Sequence, residues 1–352
     1  MSKSTKFNLC SNCFQDHGLR LDAARLGIVD NSICQHCGVS SGRKLNKDLI
    51  DKLAYRFFVW GTLHRCDYGA APRVQFNDHQ TTSIETSPWF EADIRLIEKA
   101  IGVGFFYYGP RMWMVGEVEP LKALQKSKSK SRVIARIVEE YPDTKLTTDD
   151  IFYRIRKAPK RPTEFDEYDS PPTARAGSGR LDSKDFPVMY ASPDLDICVH
   201  ECRATAEDDI FVATLAPTRT LKLLDLTELL FEEHVTEFDS LDMAVHMLFL
   251  AGDHSYKITR EIALTANKAG YDGFVYPSYF SLLRTGGMPF ETAYGISHRI
   301  FPQFTDREKS KIIPNLALFG RPVADGVVGV QCINKLILSR VDYGYHFGPV
   351  GC

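Results

Sequence analysis

The chain has 352 residues, with 43 Lys and Arg against 45 Asp and Glu, and a formal net charge of −2. This balance argues against a general nucleic-acid binder, which would carry a basic excess. The 44% hydrophobic share argues against global disorder and fibrous repeats. No apolar stretch approaches the ~20 residues that a membrane-spanning helix needs, and the polar first ten residues lack a signal core. We therefore expect a soluble, cytoplasmic protein of about two domains.

Four of the nine cysteines form two pairs near the N-terminus: Cys10, Cys13, Cys34 and Cys37. Two residues separate the members of each pair and twenty separate the pairs, a spacing typical of four-thiolate zinc sites. Because four thiolates leave no open coordination position, we predict a structural Zn²⁺, although this ligand type also suits iron.

The segment after the cysteines predicts mainly helices. Apolar residues at helical spacing over 45–63 are followed by polar, Pro-containing residues 69–87, which predict a loop. A second helix should begin near Ser87, since Pro88 follows it and isoleucines line one face. Residues 121–141 predict a third helix, and we interpret its basic run at 125–132 as a solvated face or hinge, with phosphate contact as the alternative.

Beyond Thr147 the pattern changes to short strands and fewer helices. Apolar or alternating runs predict strands at residues 151–156, 188–191, 210–215, 221–224, 274–276 and 327–341. Helical spacing and start signals predict helices at residues 193–204, 241–252 and 256–268. Residues 159–179 predict a long loop.

Three polar positions stand out against this pattern. Arg154 and Arg156 share one side of a predicted strand. Glu201 borders the apolar stripe of its predicted helix, and Ser278 ends a strand as an exposed residue. Each position alone is compatible with an ordinary surface role.

Taken in chain order, these segments resemble the RES domain, a family named for its Arg, Glu and Ser. The resemblance covers about residues 151–300. Its motifs are Tyr153-Arg154-Ile155, Gly179-Arg180-Leu181, the run from Val188 through Ser192-Pro193 to Glu201, and the run from Gly270-Tyr271-Asp272-Gly273 to Ser278. The chain departs from the family at Leu181-Asp182, where Phe-Asn is usual, and at Cys198 and His200, where small apolar residues are common.

The resemblance implies an α+β domain with a mixed β core similar to that of ADP-ribosyltransferases and with flanking helices. It also implies NAD degradation, by cleavage of the nicotinamide–ribose bond with water or inorganic phosphate as the acceptor. NAD is then a substrate, and Zn²⁺ is the metal cofactor that we expect.

The family's site maps onto Arg154, Tyr190, Glu201 and Ser278 as catalytic residues, with Arg180 and Ser192 contacting the dinucleotide. Glu201 would stabilise the oxocarbenium-like state that forms when an N-glycosidic bond breaks. The planar guanidinium of Arg154 suits pyrophosphate or an attacking phosphate. Ser278 would bond the ribose or the amide, and Tyr190 would contact the nicotinamide.

These observations predict three parts: a four-Cys zinc module at residues 1–44, a helical segment at 45–145, and a RES-like catalytic domain at 146–352. The first two parts are similar to a HEPN-like helical extension found ahead of some RES domains, and we expect them to recognise a partner and restrain the third. RES domains commonly occur as toxins paired with an antitoxin, which implies an inhibitor protein as partner and a role in growth arrest or phage defence. The oligomeric state is left open.

Three alternatives remain at this stage. HEPN ribonucleases use an Arg followed a few residues later by His, and Arg73 and His79 have that form, although they fall in a predicted loop. The RES-like domain could instead transfer ADP-ribose to a macromolecule. The chain could also be a binding module without enzyme activity, a reading favoured by the departure at Leu181-Asp182.

Overall fold

The computed structural model describes residues 9–66, 68–108, 117–172 and 176–351. The elements of its N-terminal third are β1 (Leu9–Cys10), α1 (His17–Leu26), β2 (Lys44–Leu45), α2 (Lys47–Ala54), β3 (Leu63–Cys66), β4 (Gly69–Pro72), β5 (Val74–Asn77), α3 (Glu91–Ile101) and β6 (Gly104–Tyr107). The strands pair as three antiparallel ribbons, β1–β2, β3–β4 and β5–β6. The apolar faces of α1, α2 and α3 share one hydrophobic core.

The helix expected over 45–63 is confirmed, because a π-helical turn at Tyr55–Val59 and a 3-10 turn at Trp60–Thr62 continue α2. The loop expected over 69–87 is wrong in its first half, which forms β4 and β5. Gly69 and its alanine neighbours have little strand propensity. They form a strand here because small side chains let the backbone lie close to other elements: a Cβ on Gly69 would come within 2.9 Å of Leu121.

The single helix expected over 121–141 is interrupted. Two helices replace it, α4 (Glu119–Leu124) and α5 (Ser127–Glu140), and Lys126 between them is extended. The Ser129 hydroxyl donates to the carbonyl of Ala123, which satisfies an acceptor at the end of α4. The break allows the apolar faces of both helices to enter the same core.

The remaining elements form two sheets with helices beside them. In chain order they are β7 (Asp143–Leu146), β8 (Phe152–Lys157), β9 (Val188–Ala191), α6 (Leu195–Glu201), β10 (Ile210–Pro217), β11 (Leu221–Asp225), α7 (Leu241–Phe249), α8 (Tyr256–Lys268), β12 (Gly273–Pro277), α9 (Ser281–Thr285), β13 (Thr292–Ala293), β14 (Ile296–Ser297), α10 (Thr305–Lys309), β15 (Pro314–Phe319) and β16 (Val328–Leu336). The larger sheet has the order β7-β11-β12-β15-β9, and the smaller has β16-β10-β8. The larger sheet is mixed, because β11 and β12 are parallel while its other pairs are antiparallel.

Alternation along the larger sheet separates two cores. Leu224, Phe274 and Ala317 belong to the core formed with α4, α5, α7 and α8. The neighbouring Leu223 and Leu316 belong to a second core, shared with residues of β8 and β10 in the smaller sheet. The predicted α+β class with a mixed β core and flanking helices is confirmed.

The two sheets join at one isolated bridge. The backbone N–H of Tyr153 donates to Ser192 at 2.8 Å, and the N–H of Ser192 donates back at 3.0 Å. This bridge fixes β8 beside the end of β9.

The predicted division at residue 145 falls inside β7, which pairs with β11 in the larger sheet. The helices α4 and α5 also pack on that sheet. The three-part division stays a prediction. None of the helices in the described part of the chain is long and apolar enough to cross a membrane.

Candidate active site

A cavity of about 790 Å³ lies where the two sheets meet, a size typical of small-molecule sites. Its walls come from β8, β9, α6, the end of β12 and β15, together with residues 179–180 and 250–256 and the β3–β4 hairpin.

Glu201 lines this cavity and is held by two donors on separate strands. The Ser278 hydroxyl donates to Glu201 Oε1 at 2.7 Å, and Asn315 Nδ2 donates to the same oxygen at 2.6 Å. Within the described residues, Glu201 Oε2 has no hydrogen-bond partner. The carboxylate is therefore fixed through one oxygen, while the other is available to a ligand.

Ser278 is buried, and the expectation of an exposed serine is wrong. Its side chain is only 4% exposed because the chain turns directly into α9 and the Ser278 N–H donates to the carbonyl of Ile313. Burial commits the hydroxyl to Glu201 and restricts its freedom to rotate.

The helix carrying Glu201 starts at Leu195, two residues later than expected. Asp194 caps α6 by accepting from the N–H of Ile197 at 2.9 Å. The buried Cys198 Sγ lies 3.2 Å from the carbonyl of Tyr153, which packs α6 against β8. Glu201 follows Cys198 by three residues and so lies at the C-terminal end of this packed helix, at the cavity.

Ser192 is not among the cavity-lining residues. Its hydroxyl donates to the carbonyl of Pro314 at 2.8 Å and accepts from the N–H of Asp194 at 3.1 Å. These bonds connect β9, β15 and the start of α6. The predicted contact of Ser192 with the dinucleotide is not supported by this placement.

Arg154 brings a buried positive charge to the cavity wall. Its Nη1 donates to the carbonyl of Tyr190 at 2.6 Å, and Nη2 donates to the carbonyl of Asp169 at 3.0 Å. Its Nε is buried and has no partner among the described residues. Burial, with a smaller contribution from Arg156, lowers the pKa of Arg154 to about 10, so the group stays charged at neutral pH.

Tyr190 anchors the loop that carries Arg180. Its hydroxyl donates to Asp182 Oδ1 at 2.8 Å and accepts from the N–H groups of Leu181 and Asp182. The other oxygen of Asp182 accepts from the N–H groups of Gly177 and Ser178. Burial, followed by the Asp182 charge, raises the pKa of Tyr190. The departure at Asp182 thus has a structural role, because this carboxylate organises the loop.

Arg180 lines the cavity, but its donors are largely occupied. Its guanidinium donates to the carbonyl of Ala251 at 2.7 Å and, at 3.4 Å, to the carbonyl of Leu248 and the hydroxyl of Ser255. It also lies 5.0 Å from the ring centre of Tyr256.

Sequence reasoning missed Asn315, Tyr276 and the β3–β4 hairpin as parts of this cavity. Asn315 is 2% exposed within an otherwise apolar strand, and a buried amide in such a strand is a detectable signal. Tyr276 is buried beside it and hydrogen-bonds its side chain; burial raises the pKa of Tyr276. No local signal in the sequence predicts that the hairpin lies next to cavity residues that begin only at Arg154.

The four N-terminal cysteines converge as the spacing predicts. Their Sγ atoms all lie within 4.8 Å of one another, and the close pairs are 3.6–3.7 Å apart. Sulfurs of a tetrahedral zinc site with ~2.3 Å bonds lie about 3.8 Å apart. Gly38, at φ +72°, forms the tight turn after Cys37. The donor set and its spacing therefore fit Zn²⁺.

A second cluster of potential ligands contains Glu291, His298 and Glu308. The Lys311 ammonium lies between its carboxylates, 2.6 Å from Glu291 and 2.5 Å from Glu308. Because Arg307 also pairs with Glu291 at 2.5 Å, two cations balance the two carboxylates, and the cluster is an ion-pair network.

The two residues of the Arg73…His79 pattern flank strand β5 and do not lie on a helix. Arg73 separates β4 from β5, and His79 follows β5 and stacks on Tyr294 at 5.0 Å. This arrangement gives no support to the HEPN ribonuclease alternative.

The cavity combines one fixed carboxylate, that of Glu201, with arginine side chains on its wall. Residues 151–287 match the family model of the RES domain. The match begins after the N-terminal third, and the HEPN-like extension is not confirmed.

No curated protein matches the chain. Among solved structures, the chain is similar to one described as the M. tuberculosis MbcT–MbcA toxin–antitoxin complex. The identity is 15% and the TM-score 0.34, over 58% of this chain and 91% of that chain.

Proposed function

We propose that the protein degrades NAD by cleaving its nicotinamide–ribose bond, with water or inorganic phosphate as the acceptor. The observation that carries the proposal is the Glu201 carboxylate, which Ser278 and Asn315 hold through one oxygen in a cavity that also contains Arg154.

The chemistry suits this carboxylate. Cleavage of an N-glycosidic bond develops positive charge on the ribose, and a fixed anion stabilises that charge without reorganising during the reaction. The free Oε2 of Glu201 would face the ribose or orient the attacking oxygen. Nicotinamide leaves from a cationic ring nitrogen, so departure needs no strong acid.

The charges of the cavity wall also suit a dinucleotide. Among the described residues that line the cavity, Glu201 alone carries a carboxylate, whereas Arg65, Arg154, Arg180 and Arg203 carry guanidinium groups. Guanidinium groups match phosphate oxygens in geometry and charge. Aromatic rings, including Tyr276 and Phe280, offer surfaces on which a base could stack.

The proposal includes a role as a toxin or defence effector. Unrestrained loss of NAD would arrest growth, so a cell that makes such an enzyme needs an inhibitor protein. The match to the RES domain supports this proposed role as a toxin. The antitoxin-like partner would bind the folded enzyme and inhibit it.

The test incubates the purified full-length protein with NAD and separates the products by chromatography, with and without inorganic phosphate. Release of nicotinamide together with ADP-ribose indicates hydrolysis. Release of nicotinamide together with phosphorylated ADP-ribose indicates phosphorolysis. Glu201→Gln should lower the rate roughly hundredfold or more. Glu207→Gln, an exposed carboxylate on the following turn, should not change it.

Equal rates for these two variants, or no nicotinamide release by the wild type, would refute the proposal. ADP-ribose recovered on protein or nucleic acid would identify a transferase instead.

A further inference from the structure

The cavity wall contains residues from outside the segment that matches the RES family. The β3–β4 hairpin contributes Leu63, His64, Arg65 and Ala70, whereas the family match begins at residue 151. The N-terminal region therefore lies directly against the candidate active site.

The hairpin is a fixed part of this wall. His254 Nε2 donates to the carbonyl of Gly69 at 3.0 Å, and His254 itself lines the cavity. Gly69 packs against Leu121 and Met247 so closely that a Cβ would come within 2.9 Å and 3.3 Å of them. Ala71 is fully buried in the same core.

The hairpin also supplies unoccupied donors, which Arg154 and Arg180 largely lack. Arg154 and Arg180 already donate to main-chain carbonyls, which occupies much of their hydrogen-bonding capacity. The side chain of Arg65 is exposed and has no hydrogen bond or ion pair within the described residues. His64 Nδ1 is buried and likewise unpartnered. A buried polar atom without a partner is costly, and a ligand oxygen would satisfy it.

Arg180 and the hairpin contact the same segment. Arg180 donates to Ala251 and Ser255, and Gly69 accepts from His254. A phosphate beside Arg65 would thus lie at the end of the cavity where Arg180 adds a second positive charge.

We propose that Arg65, assisted by His64, binds the pyrophosphate of the dinucleotide, so that the N-terminal region completes the substrate site of the RES domain. This proposal rests on the proposed NAD-degrading function of the cavity. Arg65 and His64 are binding residues in it, with no part in bond cleavage.

The test uses the full-length protein carrying Glu201→Gln and measures by calorimetry the binding of ADP-ribose, which has no nicotinamide to lose. Adding Arg65→Ala should weaken binding roughly tenfold, as expected for loss of a charge-assisted phosphate contact. Arg65→Lys keeps the positive charge but loses the planar guanidinium, so its ADP-ribose affinity should lie between those of the parent and Arg65→Ala. The control is Arg132→Ala, on the exposed side of α5, which should bind like the parent. His64→Gln should weaken binding by a smaller factor.

In the otherwise wild-type protein, Arg65→Ala should raise KM for NAD roughly tenfold and leave kcat within about twofold. Equal ADP-ribose affinities for the Arg65 and Arg132 variants would overturn the inference while leaving NAD cleavage intact. Arg65-dependent binding in a protein that does not turn over NAD would instead refute the proposed function and keep the phosphate site.

Discussion

Ser278 and Glu201 are joined by a 2.7 Å hydrogen bond from the serine hydroxyl to Oε1 of the carboxylate, although 77 residues separate them in the chain. The bond connects the end of α6 to the end of β12. Asn315, on β15, donates to the same oxygen. The position of the carboxylate is thus set by one helix and two strands of the larger sheet, a rigid support of the kind that electrostatic catalysis requires.

Removing either donor should reduce the rate of NAD cleavage. We expect Ser278→Ala and Asn315→Ala each to lower kcat roughly ten- to hundredfold, because Glu201 would keep its charge but lose its fixed position. The double variant should lose less than the product of the two effects, since both donors serve one oxygen. Ser310→Ala, on the exposed end of α10, is the control. Wild-type kcat in the double variant would contradict a positioning role.

Arg154 should contribute to stability as well as to binding. In Arg154→Lys a single ammonium replaces the guanidinium, which donates one hydrogen bond to the carbonyl of Tyr190 and another to that of Asp169. Leaving a buried carbonyl unsatisfied costs about 1–3 kcal/mol, so the variant should unfold at lower urea concentration with an unchanged slope. Arg219→Lys, at an exposed ion pair, is the control and should change little. An unchanged midpoint for Arg154→Lys would show that these bonds contribute nothing to stability.

Tyr190 should act through its loop. Tyr190→Phe keeps the ring but removes the hydroxyl that binds Asp182 and the N–H of Leu181. We expect faster hydrogen exchange over residues 177–182 and a several-fold higher KM for NAD, with kcat little changed. Tyr343→Phe, in the exposed C-terminal tail, is the control. A large fall in kcat without faster exchange would indicate that the hydroxyl takes part in the chemistry instead.

The four-cysteine cluster should hold one Zn²⁺ per chain. Metal analysis of the purified protein should find one equivalent of zinc, and Cys34→Ser should reduce it and lower the melting temperature of the N-terminal region, since a structural zinc site contributes directly to folding. Cys332→Ser changes an exposed cysteine outside the cluster and should retain the metal. A zinc-free wild type, or iron in its place, would contradict the prediction.

Glu237 should make stability depend on pH. Burial raises the pKa of Glu237 to about 7, even though Tyr108 and the N–H of Ser297 donate to its carboxylate. The folded state therefore binds the proton more tightly than the unfolded state does. The free energy of unfolding should fall by about 3 kcal/mol between pH 4.5 and pH 7 and change no further from this group above pH 7. Unfolding in urea at pH 5, 6, 7 and 8 measures this.

Glu237→Gln should remove that loss of stability and make the protein more stable than the wild type at pH 8. Glu233→Gln changes an exposed carboxylate, and its free energy of unfolding should depend on pH as that of the wild type does. If the free energy of unfolding changes with pH equally in Glu237→Gln and in the wild type, this carboxylate does not titrate between pH 4.5 and pH 7.

Local patterns in the sequence were sufficient for much of the secondary structure. Alternation of apolar and polar residues predicted β8, and apolar residues at helical spacing predicted α7 and α8. These patterns are informative because they reflect which side of an element is buried. The same reasoning failed at β4, whose small residues carry no alternation signal, and at the break between α4 and α5. In both places the packing of distant elements overrode local preference.

The sequence by itself determined the cysteine cluster, the α+β class and the order of the RES motifs, since each depends on residue type and spacing along the chain. Only the tertiary structure decided that Ser278 is buried against Glu201, that Asn315 is its second donor, and that Arg65 lies on the cavity wall. Those relationships join residues far apart in the chain, and strand order and sheet packing bring them together. No short-range pattern encodes such contacts, because a side chain's partners across a fold depend on where every intervening element packs.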